Sequence, residues 1–428
     1  MALTLWDVAR TMYKRIASRA GGNSLRAGGH SMKRLLAIMS AAACAALLAS
    51  SAQAQDTIRI GWAISKTGPF APGAAVTTLP NYQVWVKDVN DAGGLTVGGK
   101  KMKLEVIEYD DRSNSEEMIK AVERLATQDK VDFILPPWST GMNLAAAPIL
   151  NKYGYPHLAV TANTNRAPEL VKRWPNLTFW LGLPSELIDG LVETLATMRK
   201  DGKIGDKVAM AAVGDQFGIE QSTAAREGLA KAGFKLVYDK SYPFGTQDLQ
   251  PIVKDAQAAN PDAFVAFSYP PDTIGLTDQA KVAGFSPKVF FVGVGTAFPL
   301  FKQKFGASAE GVMGVGGSNA DLPGIKWYIQ HHKEIIGREP DRWASPITYA
   351  SLQVLQQAIE RVGLDKAAVV KEINSGTFDT IIGKVKLVDG LYKDVWAVGQ
   401  WQGNDFYAIA PMKQQGARAP IVPKPAWQ

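Results

Sequence analysis

Residues 135–143 read LPPWSTGMN and follow the apolar run VDFI. Two prolines, a tryptophan and two hydroxyl side chains thus stand where a buried strand runs out. Ser139 and Thr140 also precede NLAAAPILNKYG, a stretch with helical patterning. The free amides and the dipole at a helix start favour an anion, and hydroxyls add charge-assisted hydrogen bonds. Each dipole contribution is worth about 0.3–1 kcal/mol, so several donors have to converge on one charge. Trp138 adds a flat wall whose aromatic contact contributes roughly 0.5–1.5 kcal/mol beyond the area it buries. Residue types in this order suit the capture of a small carboxylate.

The chain offers little for bond chemistry. No HExxH, P-loop or GxSxG pattern occurs, and the Gly-rich stretches GVGTAF and GVMGVGG lack the followers that a GxGxxG site needs. Ser139 has no base partner evident in sequence; His157, at a neighbouring strand, would still need an orienting acid and an oxyanion hole. His331-His332 reads as the solvated face of a helix rather than as a metal pair. No catalytic residue, no metal and no cofactor is expected.

The elements that must position Trp138 and its neighbours are strands in alternation with helices. Strands are predicted at TIRIGWAI (57–64), MKLEVIEY (102–109), VDFIL (131–135), PHLAV (156–160), KVAMAAV (207–213), DAFVAFS (262–268) and KVFFVG (288–293). Several are continuous apolar runs, as in parallel strands covered on both faces, and the alternation implies right-handed βαβ units. Ser113-Asn114-Ser115-Glu116 predicts a capping box with Ser113 as the cap. Further helices are expected at 218–233, stopped by Gly233, and at 324–337 and 346–363. Ligands of open parallel sheets sit beyond the carboxyl ends of the strands. The segments there carry Phe70, Trp138, Phe217, Tyr269 and Phe298, with hydroxyls from Ser139, Thr140, Thr161, Thr164 and Thr296. Apolar walls with a few aimed polar groups are what small-molecule recognition requires.

A chain of 428 residues exceeds one compact core, so two lobes are expected. Of the formal net charge of +7, residues 1–54 carry +6, which leaves +1 for the other 374. No basic stripe survives to hold nucleic acid. From Met32 the chain reads MKRLLAIMSAAACAALLASSAQAQ, with a positive start, an apolar run from Leu35 to Leu48 and the small-x-small site Ala52-Gln53-Ala54. That is the pattern of a secretory signal starting at Met32 and cleaved after Ala54; residues 1–31 match no part of it. Cys44, the only cysteine, falls inside, so the mature chain is expected to be free of disulfides, which suits a bacterial periplasm.

The stretches NDAGGLTVGGKKMKLEVIEYDDRSNSEEMIKAVERL and VDFILPPWSTGMNLAAAPILNKYGYPHLAV resemble the periplasmic Leu/Ile/Val-type solute-binding proteins of ABC importers. The likeness runs from about Thr57 to Trp401. It implies a two-lobe α/β periplasmic-binding-protein fold of type I, each lobe a parallel sheet flanked by helices, with three hinge crossings near Trp180, Gly314 and Gly383. Lobe 1 would hold 55–180 and 314–383, and lobe 2 would hold 181–313 and 384–428. In the family, groups after the third and fourth strands of the first lobe grip a ligand carboxylate. Those positions match Ser139 and Thr140, then Ala162 and Thr164. Second-lobe aromatics that close over the ligand match Phe217 and Tyr269.

One departure matters. Amino-acid-binding relatives place an acidic residue after the strand matching KVFFVG, whereas this chain reads GVGTAF, with Gly295 and Thr296 there. A buried ammonium without an anionic partner is costly. The expected ligand is therefore a carboxylate without a free α-amine, aromatic acids ahead of aliphatic keto acids. Asp215 and Asp272 in neighbouring loops leave amino acids as the alternative. The implied partner is an inner-membrane ABC permease, with a monomeric binding protein; a ligand sensor uncoupled from import is the other reading.

Overall fold

The computed structural model describes residues 57–393 and 395–428. The leader expected over 1–54, with its start at Met32 and cleavage after Ala54, lies outside the described residues. β1 (Thr57–Ile64), β2 (Leu95–Val97), β3 (Lys100–Asp110) and β4 (Phe133–Leu135) form a four-stranded sheet in the order β2-β3-β1-β4. β1 pairs in parallel with β3 along its whole length, Thr57 opposite Lys103 through Ile64 opposite Asp110, and with β4 from Ile60 opposite Phe133. β5 (His157–Ala159) and β6 (Leu177–Phe179) make a separate parallel pair.

A second, larger sheet has a parallel core of β7 (Lys207–Val213), β8 (Lys235–Tyr242), β9 (Ala263–Phe267), β10 (Val289–Val292) and β11 (Met313–Val315). After the hairpin of β12 (Phe378–Thr380) and β13 (Gly383–Val385), the strands β14 (Val398–Gln402) and β15 (Asp405–Ala410) complete it. The order is β15-β14-β11-β10-β9-β7-β8. Gly314 thus lies within β11, and Gly383 turns a hairpin.

The two-lobe α/β reading holds, with one correction: both sheets are mixed, not purely parallel. β2 runs antiparallel to β3, and β14 and β15 are antiparallel additions at the edge. An edge strand needs no crossover helix, only a tight turn. Between Gln402 and Asp405 that turn is Gly403-Asn404, with Gly403 at φ +67°, as a two-residue hairpin requires.

The helices differ locally from expectation where caps compete. Asn114, not Ser113, caps the helix Ser115–Thr127, its side chain accepting from Glu116 N at 2.9 Å and Glu117 N at 3.1 Å. Asn and Ser cap about equally well, so extended backbone at Asn114 decides. Ser113 is freed to hold another loop: its Oγ donates to Thr67 O at 2.7 Å and accepts from Phe70 N at 3.0 Å. The helix Gln216–Lys231 starts two residues earlier than read, because Asp215 caps it by accepting from Gly218 N at 3.1 Å.

The His331-His332 pair is not a solvated face. His332 is buried against Arg338 O, and His331 stacks on Trp327 and meets Asp88 at 2.6 Å, because the helix Pro323–Ile336 packs on Leu79–Asp91. Among the described residues no helix is long and apolar enough to cross a membrane, and no cluster of His, Cys, Asp and Glu is placed to hold a metal.

Candidate ligand-binding site

The chain leaves β4 through Pro136 and Pro137, whose carbonyls are taken by Tyr82 Oη at 2.8 Å and Asn143 Nδ2 at 2.9 Å. Trp138 follows, buried, its Nε1 donating to Thr77 Oγ1 at 2.8 Å. Ser139 then adopts φ +85° and ψ 158°, a region that only glycine populates freely. Holding a serine there costs on the order of 1–3 kcal/mol, and such strain concentrates at functional sites. Ser139 caps the helix Thr140–Lys152, its Oγ accepting from Met142 N at 3.3 Å, while its own N donates to Thr161 Oγ1 at 3.2 Å. Among the described residues no acceptor takes the Ser139 hydroxyl proton.

Behind this corner, Asn143 spends its amide hydrogens on Pro137 O, Ser139 O and Thr161 Oγ1. Its Oδ1 therefore accepts, and His157 Nε2 donates to it at 2.9 Å. Burial pushes His157 down to about 3, so the ring is neutral and orients Asn143. It is bonded to Asn143 and not to the Ser139 hydroxyl, and among the described residues no base is bonded to Ser139.

The cavity is lined on the side of the smaller sheet by Thr77, Trp138, Ser139, Thr140, Thr161 and Asn163. Phe217, Tyr269 and Val294 face them from the larger sheet, and Leu181, Trp343 and Ala344 complete the lining. Rings from both sheets meet: Phe217 stacks on Tyr269 at 5.2 Å between centroids, Trp138 meets Tyr269 at 5.3 Å, and Phe70 touches Trp138 at 5.4 Å. The enclosed volume is about 20 Å³, room for about one water. A larger guest has to part these rings.

None of the twelve lining residues carries a formal charge. Asp215 and Asp272 stay out of the lining and attach to Tyr269 instead. Asp215 Oδ2 accepts from Tyr269 Oη at 2.7 Å, and burial raises its pKa. Asp272 accepts from Tyr242 Oη at 3.3 Å and Tyr269 N at 3.4 Å, and burial pushes it up to about 6.

Of the residues singled out in the sequence, Trp138, Ser139, Thr140, Thr161, Phe217 and Tyr269 come together around this cavity, and Phe70 backs its aromatic wall. Three have other partners. Ala162 packs among Ala147, Ala159 and Ala167. Thr164 Oγ1 donates to Glu220 Oε1 at 2.6 Å, so its hydroxyl ties the segment after β5 to the helix after β7. Thr296 is wholly buried and donates to Val292 O at 2.6 Å, spending its hydroxyl on its own loop. Sequence reasoning missed Thr77, Asn163, Leu181, Val294, Trp343 and Ala344. Asn163 stands between Ala162 and Thr164, both singled out in the sequence; Trp343 and Ala344 open a helix that follows no strand, so the strand-end rule could not find them.

The periplasmic binding protein family matches residues 57–405. The Leu/Ile/Val-binding protein homolog 7 of Brucella suis biovar 1 (strain 1330) is 25% identical over 389 residues, 86% of this chain and 94% of its own length. Among solved structures, the branched-chain amino acid transporter substrate binding protein LivJ of Streptococcus pneumoniae, in complex with isoleucine, superposes with a TM-score of 0.71 at 19% identity. It covers 86% of this chain and 100% of its own. A solute binding protein of an ABC transporter from R. palustris, in complex with benzoate, gives a TM-score of 0.71 at 16% identity, covering 86% and 97%.

Proposed function

This chain belongs to the periplasmic binding protein family, whose members bind solutes and catalyse nothing, and on that premise we propose that it captures a small carboxylate, an aromatic acid by preference, for an ABC importer. The observation that carries the reading is the lining itself: neutral donors at a strained helix start, aromatic rings opposite, and no carboxylate. The ligand's charge is met by the Ser139 hydroxyl and the first amides of the helix Thr140–Lys152, where the dipole favours an anion. Its apolar body lies among Trp138, Phe217 and Tyr269. Closing of the two lobes over it, by rotation about the crossing segments, makes the loaded form distinguishable to a permease.

The fold itself accommodates either class of ligand, since the Streptococcus structure holds isoleucine and the R. palustris structure holds benzoate. A Leu/Ile/Val name among the relatives favours amino acids as the second reading. Against it, the carboxylates that touch lining residues are already committed, Asp215 to Tyr269 Oη and the cap of its own helix, and Asp341 to the amides of Trp343, Ala344 and Ser345. An ammonium would meet rings and hydroxyls instead of a counter-charge. Calorimetry with benzoate-type acids, aliphatic 2-oxo acids and leucine decides the matter; tighter binding of leucine than of every acid refutes the preference. Uptake in a deletion strain separates import from sensing, because an importer's loss abolishes uptake of the ligand.

A further inference from the structure

The polar side chains of the cavity lining are almost all spoken for by the protein. Trp138 Nε1 is held by Thr77, Tyr269 Oη by Asp215, Thr161 Oγ1 by Pro137 O, and Thr140 Oγ1 lies between the N and O of Asn163. Two donors are left over: the Ser139 hydroxyl proton, already assigned to the ligand carboxylate, and the indole of Trp343. The Trp343 ring is 6% exposed, and its Nε1 is buried with no partner among the described residues. Buried N–H groups are paired in the great majority of cases, and one left alone calls for an explanation.

Packing and backbone bonds fix the ring, not a hydrogen bond from the indole. Trp343 N donates to Asp341 Oδ1 at 2.6 Å at the start of the helix Ala344–Val362, and the indole lies 5.9 Å from that of Trp396. A side chain at Gly316, which sits at φ +118°, would run into Trp343 Cβ at 2.7 Å, so glycine there lets the tryptophan backbone settle. The indole N–H is a donor only, so it accepts no ammonium and asks for an oxygen. Asp341 claims the local amides of Trp343, Ala344 and Ser345. With that acid at the same helix start, a neutral oxygen suits this end of the cavity better than a second anion.

We infer that Trp343 is a specificity-determining residue, its indole N–H reading a neutral hydroxyl or carbonyl oxygen that the ligand carries in addition to its carboxylate. This rests on the carboxylate reading above and narrows it to hydroxy- or oxo-substituted acids. The test is calorimetry on the full mature protein with benzoate, 3-hydroxybenzoate, 4-hydroxybenzoate, 4-methyl-2-oxopentanoate and leucine, for the native protein and Trp343→Phe. The native protein is expected to prefer at least one oxygen-substituted acid to its plain counterpart by roughly five- to tenfold, the worth of one net hydrogen bond. In Trp343→Phe that ratio falls to near one.

Should the variant not fold, ¹⁵N-tryptophan labelling of the native protein supplies the readout: one indole N–H signal shifts downfield with the substituted acid and not with the plain one. An unchanged ratio in Trp343→Phe, or no oxygen-substituted acid bound, overturns the role of Trp343. Acids bound with no preference for the added oxygen overturn it while leaving the carboxylate reading intact. Leucine bound in place of every acid overturns both.

Discussion

Glu220 ties the two halves of the cleft together without lining it. Its Oε1 accepts from Thr164 Oγ1 at 2.6 Å and its Oε2 from Asn165 N at 2.8 Å, both on the segment after β5, while the glutamate rides on the helix after β7. Hydrogen bonds to a charged group are worth about 1.5–3 kcal/mol each when buried. Glu220 is partly exposed, which brings each to about 1 kcal/mol. Glu220→Ala therefore removes about 2 kcal/mol from the closed form alone, which raises the apparent Kd about 30-fold when the closed form is the minor one. The loss should appear in the dissociation rate, followed by stopped-flow tryptophan fluorescence with the tightest acid of the calorimetric panel. A double-mutant cycle with Thr164→Val isolates the bridge, and the two changes should be far from additive. An unchanged Kd in a normally melting Glu220→Ala, or strict additivity in the cycle, refutes the bridge as a closure contact.

Ser139→Gly relieves the positive φ and costs only a few tenths of a kcal/mol as a cap, so the ligand-free protein should melt higher. Carboxylate affinity should nevertheless fall about ten- to a hundredfold for want of the hydroxyl; a lower melting temperature contradicts the strain. A methyl group at Gly73 would overlap Trp138 Cζ2 at 2.1 Å, so Gly73→Ala should drive the indole into the cavity and weaken larger acids more than small ones by calorimetry. Trp138→Ala should cost aromatic acids far more affinity than short aliphatic ones, and equal losses would reduce the ring to a cap on the sheet.

His157 is neutral when folded and would protonate when unfolded below its ordinary value near 6.5, so its contribution to stability falls as pH drops from 6.5 toward 3. Asp272, raised to about 6, acts in the opposite sense between its ordinary value and 6. Comparing denaturant midpoints of the native protein and His157→Gln across this range isolates the histidine. The stability cost of the variant should shrink by about 1.4 kcal/mol per pH unit below 6.5, and a pH-independent difference would contradict the buried neutral ring.

Much of this was legible from residue types at strand ends. β1 falls on TIRIGWAI and β7 on KVAMAAV residue for residue, because continuous apolar runs bounded by turn residues leave few alternatives. The strands at the two rims of the larger sheet were invisible for the opposite reason. β8 and β15, its outermost strands, mix polar with apolar residues, since each is paired on one side only. At the cavity, the strand-end rule found Trp138, Phe217, Tyr269 and Ser139, and not Trp343. It could not tell a threonine that lines the cavity from one that does not. Thr164 and Thr296 look like Thr161 in sequence, and only the arrival of Glu220 and the fold of the 293–296 loop separate them.

Asn163 joins three parts of the fold. It lines the cavity, its Nδ2 donates to Gly182 O at 2.9 Å, its Oδ1 takes Gln221 Nε2, and Gly182 itself sits at φ +63°. One amide therefore touches the cavity, the segment after β6 and the helix Gln216–Lys231 at once. If the proposed closure turns the chain at Gly182, the turn reaches the cavity lining through this one side chain, and closure and grip on a ligand are then coupled.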